Sequence, residues 1–165
     1  MYYSNKGFSL NPSVNVRRQY FIIGLVIYRP IRMEKPLSNT IFTFSDAIDS
    51  KYIIDLYAGD YVMIEETFND VLREYDEFVD RIITTYHESD IAGLKSAVHK
   101  IKPLFGFVGL TAQQGQCQQF ENGCLAMAVG QQAEAFAALE KMLLGTKSII
   151  ESEGRRLAEF NAAQP

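Results

Sequence analysis

The chain is poor in cysteine, has no long apolar run and contains no repeated segment, and each shortage closes off a class of protein. Cys117 and Cys124 are its two cysteines. Seven residues apart on a helix, they would lie about 10 Å apart along the axis, beyond the reach of a disulfide. No CxxC-type pair exists, so cysteine offers no metal site. The two thiols read as small buried side chains of a reduced, cytosolic protein. Nowhere do 18 apolar residues run together, so no transmembrane helix is expected. Low-complexity tracts are absent too. What remains is an ordinary globular composition, 47% hydrophobic and 22% charged, in a length that suits one domain with its own core.

Acidic residues are missing from two places. Residues 1–32 hold five basic residues (Lys6, Arg17, Arg18, Arg29, Arg32) and no acids. Residues 33–165 hold 11 basic and 20 acidic ones. Such an acidic body argues against nucleic acid as a partner, because phosphate binding needs a basic footprint. Within that body the stretch 91–120 has no Asp or Glu but carries Lys95, Lys100, Lys102 and His99. A positive island on a negative protein suits a local anionic partner, although clustered, solvated lysines give the same pattern.

Residues 1–44 read as an N-terminal extension, disordered or not native, and residues 45–160 as the folded domain. The apolar run from Gln19 to Tyr28 is too short to span a bilayer, and no small-residue cleavage site follows it. A membrane-surface anchor is one reading. The preferred one is that Met33 is the true start.

From Ser45 onward the apolar spacing is helical. A short helix is predicted from about Ser50 to Ala58, with Gly59 in its closing turn and Asp60 capping the next. The second helix, roughly Asp60 to Tyr86, draws a seam through Ile64, Phe68, Val71, Tyr75, Phe78 and Ile82. After a turn at 87–90, a third helix runs to about Phe107 with Ile91, Leu94, Val98, Ile101, Phe105 and Val108 on its seam. Gly109 breaks it, and Thr111 is taken as cap of a fourth helix burying Cys117, Phe120, Cys124 and Met127. Gly130 is read as the next break. A fifth helix, about Gln132 to Phe160, buries Phe136, Leu139, Leu143, Ile150 and Leu157. The fold class is therefore all-α: an antiparallel up-down four-helix bundle with a short extra N-terminal helix.

The third helix carries the candidate chemistry. His99 follows Val98 and so turns about 100° from the seam. It shares a face with Lys95, Lys102 and Gly106, and that face points to water. An imidazole in water is largely neutral near pH 7 and is a competent nucleophile. Lys102, three residues on, can offset charge on a phosphoryl group at the ring. Gly106 keeps the helix surface low. Pro103 removes an N–H and leaves the His99 carbonyl without its intrahelical donor, which predicts a kink. On spacing alone, a surface histidine without function is the commoner case.

The run Ala97-Val98-His99-Lys100-Ile101-Lys102-Pro103-Leu104-Phe105-Gly106-Phe107-Val108-Gly109-Leu110 resembles the H-x-x-K-G signature of histidine-containing phosphotransfer (HPt) domains and the residues after it. The resemblance spans roughly residues 45–155. It implies a phosphocarrier of two-component signalling, a phosphoprotein and not an enzyme. His99 would accept a phosphoryl group through Nε2 from a receiver-domain aspartate and pass it to another receiver. Lys102 would stabilise its charge, and Glu121, by position, would orient the ring, unless it is simply a solvated residue. The implied partners are receiver domains of hybrid histidine kinases and response regulators. They would dock around Lys95, Ser96, Lys100, Pro103, Gly106, Phe107 and Gln114, with Ala92 beside them. Phe107 is assigned to the core in preference to the surface. No cofactor or metal is expected on this chain, with Mg²⁺ on the receiver. A cytoplasmic monomer is expected. The family usually has Gly where Pro103 stands, which puts the local helix geometry in question.

Two rival readings stand beside this one. One is a non-phosphorylated helical-bundle adaptor for signalling proteins. The other is the phosphoacceptor part of a histidine kinase, which needs an ATP-binding domain for which no room remains after Phe160. A metal site built from His87 and His99 lacks ligand spacing.

Overall fold

The computed structural model describes residues 41–164. The readings of residues 1–32 as a leader or tail and of Met33 as the start lie outside the described residues.

Five helices follow one another: α1 (Ser50–Tyr57), α2 (Tyr61–His87), α3 (Ile91–Phe107), α4 (Thr111–Gly123) and α5 (Val129–Ala162), with no strand among the described residues. Three aspartates start three of them. Asp49 accepts from the Tyr52 amide, Asp60 from Met63 and Asp90 from Gly93, each bond satisfying a donor that the first helical turn leaves open. The α3–α4 turn depends on Gly109, which sits at φ 72°. There the Leu110 amide donates back to the Phe105 carbonyl, and a Cβ on Gly109 would stand 2.9 Å from Ile48 Cγ2. The Gly109 carbonyl in turn accepts from the Asp49 amide, which fastens α1 to this turn.

The four long helices close a ring. α2 packs on α3 and α5, and α4 packs on α3 and α5. Their cores are the apolar seams: Ile64, Phe68, Tyr75 and Ile82 of α2, Leu94, Val98, Ile101 and Phe105 of α3, and Leu143, Ile150 and Leu157 of α5 are all buried. The Tyr75 hydroxyl donates to the Leu143 carbonyl at 2.8 Å, satisfying a buried phenol that would otherwise be costly. Burial pushes its ionisation well above the ordinary range.

Several boundaries differ from the sequence reading. The core begins ahead of the predicted boundary at 45, because Phe42 is buried against Tyr61 and Phe160, with Phe44 buried beside it. Arg156 clasps this entry segment, donating to the Thr43 carbonyl and to both oxygens of buried Glu153, whose Oε1 also accepts from the Ser45 amide. On α2, Val79 takes the seam position given to Phe78, which is half-buried. Leu110, not Thr111, caps α4, and without a side-chain bond. Gly130 breaks nothing: α4 ends at Gly123, and Gly130 lies in the first turn of α5. No helix of the described residues is long and apolar enough to cross a membrane.

Candidate functional site

α3 and α4 run antiparallel, and the register brings residues 99, 102 and 106 level with 121, 118 and 114. His99 stands on the open flank, its side chain 63% exposed. Its Nδ1 lies 3.0 Å from Oε1 of Glu121. The other carboxylate oxygen, Oε2, accepts from the Lys102 ammonium at 2.8 Å. Lys102 also donates to Gln118 Oε1 at 2.6 Å, and the Gln118 amide nitrogen donates to Asn122 Oδ1 at 2.8 Å. One carboxylate thus bridges the imidazole and the ammonium, and Gln118, itself bonded to Asn122, holds the ammonium from the side.

The burial of these groups is graded. His99 is open, whereas the Lys102 and Glu121 side chains are 15% and 13% exposed. The Lys102 ammonium, followed by the His99 contact, holds the Glu121 carboxyl below its ordinary range against the opposing effect of burial. Glu121 is therefore an ionised acceptor near neutral pH. With Nδ1–H donating to it, the neutral ring leaves its lone pair on Nε2.

The remaining predicted residues fall on either side of this centre. Ser96, Lys100 and Pro103 are exposed and Lys95 is half-buried. Phe107 is 38% exposed, not core. Its carbonyl accepts from the Tyr57 hydroxyl, which ties α1 to the end of α3 while the ring projects outward. Gly106 is buried, contrary to the open face predicted for it. A Cβ there would meet the Gln114 side-chain amide at 2.9 Å, so the glycine lies under the end of a side chain from α4 and does not leave a bare surface. Helix α3 continues unbroken through Pro103 to Phe107. No cluster suited to a metal ion occurs among the described residues, and His87 contacts Tyr86, not His99.

Sequence reasoning missed Gln118 and Asn122. The signal was available: with Glu121 placed against His99, antiparallel packing puts the residue one turn earlier on α4 against the residue one turn later on α3. That pairs Gln118 with Lys102.

Residues 66–148 match the family model of the Hpt domain, a stretch that includes His99, Lys102, Gln118 and Glu121. No curated protein and no solved structure matches the chain. The class defined by the helical bundle and this match is the phosphotransfer domain of two-component signalling. The chain belongs to the Hpt-domain family, whose members are phosphocarriers, not kinases, and work with receiver domains.

Proposed function

We propose that the chain is a relay intermediate: His99 takes a phosphoryl group from the aspartyl phosphate of one receiver domain and gives it to the aspartate of another. The observation that carries this reading is an exposed imidazole whose Nδ1 is held by an ionised carboxylate, which leaves Nε2 as the nucleophile. In the forward step the Nε2 lone pair attacks phosphorus, the bond from phosphorus to the aspartyl oxygen breaks, and the aspartate leaves as carboxylate. The second step is the same displacement by the acceptor aspartate, with His99 as leaving group. The receiver brings Mg²⁺ and most of the catalytic groups. This chain brings a positioned nucleophile and the Lys102 ammonium, whose third N–H is not needed by Gln118 or Glu121 and is available to a phosphoryl oxygen. Alignment and charge neutralisation account for most of the rate in such transfers.

The receiver docks on the flank around His99, against Lys95, Ser96, Lys100, Pro103, Phe107 and Gln114. The working form is a cytoplasmic monomer. Its partners are receivers of hybrid kinases and response regulators, and the chain binds no cofactor of its own. Incubation with a labelled, phosphorylated receiver and Mg²⁺ tests the proposal. Acid-labile label should pass to the wild type and not to His99→Gln. Equal labelling of the two would refute the assignment, and labelling from ATP alone would refute the carrier role.

A further inference from the structure

The chemistry of Glu121 reaches further than ring orientation. His99 Nδ1–H and the Lys102 ammonium are both donors, and both meet the same residue of α4. A glutamine has one acceptor oxygen and a donor amide, so it cannot accept from both through separate atoms. A carboxylate can, and Glu121 does, one oxygen to each. It does so at 13% exposure, where water screens the pairing little.

We propose that Glu121 keeps the Nδ1 proton on the ring after His99 is phosphorylated, so that the phosphoryl group departs from a neutral imidazole across the neutral and mildly alkaline range. The inference rests on the relay reading above. When Nε2 attacks phosphorus with Nδ1 still protonated, the product ring is cationic. If that proton stays, breaking the N–P bond returns the electron pair to Nε2 and releases neutral imidazole, a good leaving group. If the proton is lost, the leaving group is imidazolate, and transfer slows. A carboxylate 3.0 Å from Nδ1 favours the cationic ring. Lys102 supports this by holding the carboxylate ionised. The other charges near the ring are Lys95 and Lys100 on its own helix, the first half-buried and the second exposed. On α2, Asp80 and Arg81 lie level with His99 by the antiparallel register that Tyr75 and Phe105 fix, and both are exposed. Neither bonds to the ring, so the short-range effect on Nδ1 is that of Glu121.

The chemical consequence is a short-lived carrier. Phosphohistidine on this chain is poised to give up its load to a docked receiver.

The test uses the full chain phosphorylated with phosphoramidate, a small donor that needs no receiver. Nitrogen-15 and phosphorus-31 NMR follow the phosphohistidine ring with pH in the wild type, in Glu121→Gln, and in the wild type unfolded in urea. The folded wild type should titrate about one pH unit or more above both references, the usual effect of one nearby opposite charge. Loss of phosphate to a receiver at pH 8 should then be about tenfold faster in the wild type than in the variant. Comparison with the urea-unfolded chain stands even if Glu121→Gln folds poorly. Coincident midpoints in folded and unfolded chain would overturn the proposal while leaving the relay intact. Failure of His99 to take phosphate from phosphoramidate and from a receiver would overturn the relay and this inference with it.

Discussion

Replacing Lys102 by methionine keeps most of the side chain's bulk and deletes two hydrogen bonds from one ammonium, to Glu121 Oε2 at 2.8 Å and Gln118 Oε1 at 2.6 Å. A fully exposed ion pair is worth about 0–1 kcal/mol, whereas breaking a buried one costs about 3–5 kcal/mol. At 15% and 13% exposure the pair lies between these limits, nearer the buried one. The expected loss at pH 7 is about 2 kcal/mol, most of it from stranding the Glu121 carboxylate beside a spent amide. With a urea dependence of about 2 kcal/mol/M for a domain of this size, the unfolding midpoint should fall by about 1 M. The pH dependence follows from Glu121, whose folded-state value lies below its ordinary 4.5. A depressed carboxyl stabilises the fold in full above the ordinary value and ceases to do so as pH falls through the folded one. The gap between wild type and variant should therefore be widest above pH 5 and shrink below about 4.5 as Glu121 protonates. Urea titrations at pH 7 and pH 3.5 measure both. A loss under about 0.5 kcal/mol at pH 7, or a gap that persists undiminished at low pH, would refute the bridging role of the carboxylate.

Three further outcomes are expected. Gly109→Ala should cost on the order of 2 kcal/mol, from the positive φ and the contact with Ile48, and calorimetry showing an unchanged melting temperature would contradict the turn geometry. Gln113 places Oε1 in the interior without a partner, so Gln113→Leu should stabilise by about 1 kcal/mol in urea unfolding, and a loss of stability would count against that burial. Burial pushes the Cys117 thiol up to about 12, so it should stay unreactive toward a disulfide reagent at pH 8 until the chain is unfolded, and rapid native-state labelling would show that the thiol is open.

The fold was legible because its signals are local. Apolar residues at three- and four-residue steps, Asp60 as a cap, and Gly109 each carry their meaning within a few positions. His99 could be turned outward from the same phase. What escaped the sequence depends on contacts between distant segments. Phe42 and Phe44 look like tail residues until Arg156 and Glu153, more than a hundred positions on, provide an anchor. Gly106 lies on the face of His99 by phase, yet α4 covers it, because phase says which way a residue points and not what arrives there. Phe107 was placed inside because it adjoins the apolar seam of its helix. It is instead the last residue of α3 and is 38% exposed. Glu121 was placed by resemblance, and its second partner, Lys102, emerges only when two antiparallel helices are set in register.

Helix α4 is the shortest of the four staves and buries just Cys117 and Phe120 within its span, while α2 and α5 are two to three times as long and bury seven and eight residues. It also carries Glu121, the residue that meets the reactive ring, and Gln118, which helps hold Lys102. Local opening costs least where the fewest side chains are sunk. On warming, amide exchange should quicken in 111–123 first, and His99 would lose its backing while α2, α3 and α5 still hold together. Such a carrier falls silent some degrees before it melts.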